Sequence, residues 1–137
     1  MTEVDYYDIV RNKLRVGPIG APKHKKVLEF LRIIWTEEEA KLLSYMEGVR
    51  KLVTPRKLAK TAGMDKTKVK ELLNNCARKG TILKIGNQFG LLPLVPGIFE
   101  LYYLTGKDTE ENRKKGAKVF REIIDQVLPS MLLSANT

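Results

Sequence analysis

Thr54–Leu92, TPRKLAKTAGMDKTKVKELLNNCARKGTILKIGNQFGLL, decides the fold. Thr54 followed by Pro55 is a helix start, a cap and then the residue whose fixed φ suits the first helical position. Leu58, Ala59 and Ala62 give that helix an inner face. Gly63 supplies a turn, and Asp65 caps the next helix, in which Val69, Leu72, Leu73 and Cys76 fall on one side at helical spacing. Gly80 ends it. Thr81–Ile85 and Gln88–Leu92 read as strands flanking Gly86-Asn87, a two-residue loop suited to a tight hairpin. Two strands alone are marginally stable, so the hairpin must lean on the helices, as a wing does. The predicted fold is mostly α (α+β): a winged helix-turn-helix with a short β-hairpin wing and flanking N- and C-terminal helices.

Upstream, Tyr6, Ile9, Val10 and Leu14 predict a helix over Val4–Leu14. It stops at a Gly- and Pro-punctuated loop from Gly17 to Pro22. Val27–Trp35 is apolar nearly all round and predicts a short buried helix, with a strand as the alternative. Thr36 and Glu39 have capping-box spacing, with Glu37 and Glu38 favouring the same helix start. That helix is predicted to run to about Glu47 and end at Gly48. Downstream, Pro93 and Pro96 interrupt the pattern. Gly97–Leu104 is aromatic-rich and helical in spacing up to Gly106. Asp108 or Thr109 caps a last helix over Glu110–Leu128, with Ala117, Phe120, Ile123, Ile124 and Val127 as its apolar residues and Pro129 as its stop. At 137 residues the chain reads as one domain, 1–137. Residues 1–49 form its N-terminal helices, 50–92 the helix-turn-helix plus wing, and 93–137 the C-terminal helices.

The charge is local. Arg50–Gly90 holds eleven Lys/Arg against two acids, which accounts for the chain's whole net charge of +9. The segments on either side carry equal numbers of each sign. A basic block coinciding with a helix-turn-helix points to double-stranded DNA. With Val69 inward, Thr67, Glu71, Asn74 and Arg78 point outward from the second helix, flanked by Lys68, Lys70 and Asn75. Arg and Asn read base edges in the major groove, while Lys and Thr suit phosphates. The candidate nucleic-acid-binding residues are therefore Arg56, Lys57, Lys66, Thr67, Lys68, Lys70, Asn74, Arg78 and Lys84. Lys51 and Lys60 are further candidates for backbone contact. The plain alternative is a solvated basic face. Glu71, in the middle of that face, argues for this alternative, and so does a wing tip in which only Lys84 is basic.

No catalytic constellation emerges, and the chain is not read as an enzyme. His24 lies in a Lys-rich loop without a Ser or Cys partner in sequence. Glu37, Glu38 and Glu39 are consecutive on a helix and diverge, so they serve the helix start rather than a metal. Cys76 is alone, which excludes an internal disulfide, and its position predicts a small buried side chain. No run approaches a membrane span and no apolar leader is present, so a cytoplasmic protein without membrane contact is expected. Phe99, Tyr102 and Tyr103 read first as core and second as a partner groove. A homodimer through the first and last helices is expected, since helix-turn-helix proteins pair to meet successive major grooves.

Several segments together carry a family pattern: Gly17-Pro18 with Ala21-Pro22; Leu28-Glu29 with Leu31; Trp35-Thr36-Glu37-Glu38-Glu39-Ala40; Leu58-Ala59 with Ala62-Gly63-Met64; Lys79-Gly80-Thr81-Ile82; and Leu92-Pro93-Leu94-Val95-Pro96-Gly97-Ile98-Phe99-Glu100. The chain resembles the N-terminal winged-helix region of prokaryotic ferredoxin-type iron–sulfur proteins over nearly its whole length. In that family a cysteine-rich four-iron module follows. A four-iron cluster needs four cysteine ligands as a rule. This chain has one cysteine, so no cluster ligand is carried over and no cofactor is expected within it. The resemblance implies that an iron–sulfur cluster could belong only to a module beyond Thr137, the alternative being a stand-alone version of the winged domain. It leaves two functions open: a DNA-binding regulatory domain, or a docking domain that meets a redox partner without touching DNA.

Overall fold

The computed structural model describes residues 4–16, 19–21 and 23–126. In chain order these form α1 (Tyr6–Lys13), β1 (Arg15–Val16), β2 (Ile19–Gly20), α2 (Lys25–Ile34), α3 (Glu37–Leu43), α4 (Pro55–Ala62) and α5 (Lys66–Arg78). Then follow β3 (Leu83–Ile85), β4 (Gln88–Gly90), a π-helical turn (Leu94–Ile98), α6 (Phe99–Thr105) and α7 (Glu110–Gln126). Val127, Leu128 and Pro129, assigned from sequence to the last helix and its stop, lie outside the described residues.

Most helix starts carry a side-chain cap that offsets the unpaired amides of the first turn. Asp5 caps α1, Thr36 and Glu39 form a reciprocal capping box on α3, Thr54 precedes Pro55 on α4, and Asp65 caps α5. The Thr109 hydroxyl accepts from the Asn112 amide at the start of α7 (3.1 Å). His24 is the cap the sequence did not announce: its Nδ1 accepts from the Lys26 amide at 3.1 Å, so the lone histidine starts α2.

One core runs through the molecule. α2 packs on α7, burying Val27, Phe30, Leu31, Ile34, Val119 and Ile123. Edge-to-face ring contacts join α2, α6 and α7: Phe30 to Phe99 (4.8 Å between centroids) and Phe99 to Phe120 (4.7 Å). Such pairs add roughly 0.5–1.5 kcal/mol each to the burial of their surface. α1 lies on α2 and α3, α4 packs on α5, and Leu58, Val69, Leu73 and Cys76 join the same core.

Several boundaries differ from the sequence expectation for visible reasons. α3 stops at Leu43, not near Glu47. Lys13 Nζ donates to the Ser44 and Met46 carbonyls and holds the chain in turns there. Beyond those turns, Val49 bridges Leu91 and Val53 pairs antiparallel with Phe89, so one more piece of extended chain lies against the hairpin. Arg50, at φ 61°, reverses the backbone between the two bridges. The hairpin strands are shorter than predicted because Thr81 and Ile82 enter the core instead. The predicted loop over Gly17–Pro22 contains the second strand of a two-residue pairing, Arg15–Val16 with Ile19–Gly20. The helix expected to begin at Gly97 begins at Phe99, behind the π-helical turn. Along α7 the buried line is Gly116, Val119 and Ile123, whereas Ala117 and Phe120 are half-buried and Ile124 is exposed. Ile9 of α1 is likewise exposed.

Candidate nucleic-acid interface

α5 is held from both sides. Lys79, at its C-cap, is buried against the carboxylate of Glu39 at 3.1 Å and also donates to the Ile34 carbonyl. Burial alone would raise the Glu39 carboxyl. The Thr36 amide, the Lys79 charge and the Asn75 amide overcome it and hold Glu39 below the usual glutamate range. Asn75 Nδ2 reaches Glu39 at 2.7 Å. Trp35 Nε1 donates to the Thr81 hydroxyl (2.9 Å), which donates in turn to the Cys76 carbonyl (2.8 Å). Gly80 closes the joint in the left-handed region (φ 78°). A Cβ there would lie 2.5 Å from the Leu101 carbonyl oxygen of α6, so neither the conformation nor the space admits a side chain. On the far side, Thr105 donates to the Lys79 carbonyl at 3.0 Å and Arg78 to the Lys107 carbonyl at 3.1 Å. The C-terminal end of α5 is thus clamped between α3 and the end of α6.

The basic block divides into cations that have hydrogen-bond or ion-pair partners in the fold and cations that have none among the described residues. Lys79 is consumed by Glu39. Lys68 faces Glu38 at 3.4 Å. Lys84 donates to Asn74 Oδ1 at 2.8 Å and lies over the Phe89 ring. Arg78 binds Asn75 as well as Lys107, and Asn74 Nδ2 turns back to the Lys70 carbonyl. The two side chains expected to read bases, Asn74 and Arg78, are therefore occupied within the fold. Arg56, Lys57, Lys60, Lys66, Thr67 and Lys70 are exposed, and their side chains carry no ion pair among the described residues. Arg50 and Lys51, on the loop before α4, are exposed too. With Tyr45, Glu47 and Lys57 they line an open hollow of about 370 Å³. Three cations stand there against one carboxylate, with Met46, Leu52, Val53 and Leu58 completing the lining. The sequence assigned these charges to the two helices and the loop before them, where the structure has them. It did not show that Lys68 and Lys79 were already paired, because their partners Glu38 and Glu39 lie outside the window.

No family model matches the chain, and no curated protein or solved structure is significantly similar to it.

The remaining candidates resolve locally. Glu37, Glu38 and Glu39 diverge as expected, and only Glu39 turns inward. Cys76 is 1% exposed, and burial pushes its thiol well above the usual value. Phe99 and Tyr102 are core. Tyr103 is half-buried beside Ala117, Phe120, Glu100 and Arg121, which frame an apolar groove of about 390 Å³ between α6 and α7. Burial raises the Tyr103 phenol to about 12, and its hydroxyl has no hydrogen-bond partner among the described residues. Among the described residues no helix is long and apolar enough to cross a membrane.

Proposed function

We propose that this chain is a winged-helix domain that binds double-stranded DNA through α4 and the N-terminal half of α5. The observation that carries the reading is the set of exposed, unpaired cations on these two helices and the loop before them, within a chain otherwise balanced in charge. The α4–turn–α5 order, the following β3–β4 hairpin, and the pairing of Val53 with Phe89 as a third extended segment support the winged-helix assignment. Lys66, Thr67 and Lys70 sit on the half of α5 that would enter the major groove. Arg56, Lys57, Lys60, Arg50 and Lys51 would straddle it on the phosphates. The wing contributes little, because Lys84 is folded back on Asn74.

In this reading the domain is the regulatory N-terminal module of a ferredoxin-like iron–sulfur protein in the cytoplasm. Its motif resemblance is the support for that placement, and the chain itself performs no catalysis and holds no cofactor. One observation favours docking without DNA. The groove between α6 and α7 is apolar, and Leu104 of α6 is 81% exposed. Such a face suits a redox partner or a second copy in a homodimer.

Fluorescence anisotropy on a random-sequence duplex separates the two. The double variant Lys66→Glu, Lys70→Glu is expected to lose at least tenfold in affinity, and unchanged affinity would move the function to the groove.

A further inference from the structure

We infer that Glu71 is the specificity-determining residue of this surface, its carboxylate accepting a hydrogen bond from the exocyclic amine of a cytosine in the major groove. The inference rests on the DNA-binding reading above and deepens it. Glu71 is exposed near the middle of α5, one turn after Thr67. The partners that would ordinarily neutralise it on a helix stand three or four residues away, and they are engaged elsewhere. Lys68 faces Glu38, Asn74 holds Lys84, and Asn75 binds both Glu39 and Arg78. No ion pair or hydrogen bond among the described residues involves the Glu71 carboxylate. The fold thus leaves one exposed acid without a partner among the described residues, on the helix that carries Lys66 and Lys70.

On a surface that meets phosphates such an acid is repelled by the backbone, and its charge is stabilised only by a donor. The major groove offers two amines. Adenine sets its N7 acceptor beside the N6 amine, which opposes a carboxylate. The cytosine edge presents its N4 amine alone, and Glu is the side chain that accepts from it. With Asn74 and Arg78 occupied, Glu71 and Thr67 are the outward residues of this half of α5 left to read a base.

The test is selection from a random duplex pool by the 137-residue chain and by its Glu71→Gln variant, with salt-titrated anisotropy on the selected and the random duplexes. The wild type is expected to enrich cytosine at one position by roughly tenfold. Glu71→Gln should move that position toward adenine, which glutamine reads, and bind the random duplex about two- to fivefold tighter once the repulsion is gone. The same preference in both proteins would overturn the inference. Equal tightening on every sequence would overturn it too, since the acid would then only repel. Salt-dependent binding without positional preference overturns the inference alone. Absence of duplex binding, or preference for single-stranded RNA, overturns the DNA reading and this inference together.

Discussion

Glu39 shows how one side chain serves three levels of the structure. It completes the capping box that starts α3, accepts from Asn75 of α5, and faces the buried ammonium of Lys79. Removing one partner of a buried ion pair leaves the other uncompensated, at a cost of about 3–5 kcal/mol. Because its folded pKa lies below the ordinary 4.5, the stability Glu39 contributes is fully present above that value. It is lost as the pH falls through the depressed folded value. Glu39→Gln is therefore expected to unfold at markedly lower urea concentration at pH 7. Its stability should also decline less steeply than that of the wild type below about pH 4.5. Urea titrations across pH 3–7 measure both. Parallel pH profiles for the two proteins would mean that Glu39 is not a source of the acid sensitivity.

At the scale of the element, α5 is two helices in one. Its N-terminal half is solvated and basic, and its C-terminal half is clamped by Asn75, Arg78 and Lys79. Arg78→Ala removes hydrogen bonds to Lys107 and Asn75 that are exposed, so it should cost no more than about 1 kcal/mol. It should change random-duplex affinity by about twofold or less, the screened loss of one charge off the proposed binding face. A tenfold loss in anisotropy would restore Arg78 to the interface. Much of this element was legible in the chain. Thr54-Pro55, Asp65 and Gly80 mark boundaries through backbone chemistry that acts within a few residues, and Val69, Leu72, Leu73 and Cys76 give the inner face by spacing alone. Illegible were the pairings formed across long sequence separations. Glu39 with Lys79, Arg78 with the carbonyl of Lys107, and Lys13 with the end of α3 are set by tertiary packing, which no local pattern encodes. They give Lys79 and Arg78 partners inside the fold and end α3 a turn early. The apolar phase of α7 was misread for a related reason. Gly116, with no side chain to signal burial, faces the rings of Tyr103, Tyr102 and Phe30.

Taken as a whole, the molecule is a helical core that presents one basic surface and one apolar groove on different elements. The aromatic contacts of Phe30, Phe99 and Phe120 tie α2, α6 and α7 into one body. Thr105 and Gly80 join α6 to the end of α5, so the groove and the basic surface share a mechanical connection. The winged-helix, DNA-binding account rests on charges that folding leaves unspent: Arg50, Lys51, Arg56, Lys57, Lys60, Lys66 and Lys70. The measurement that tests it most directly is the salt dependence of binding to a random duplex. Each phosphate contact contributes a slope of about −0.9 in log K against log salt. If about five of these cations engage the backbone, the slope is roughly −4 to −5, and affinity falls steeply between 50 and 200 mM salt, about that interval being the usual test range. A slope near zero, or no binding at low salt, would contradict the account and leave the basic block as a solvated face.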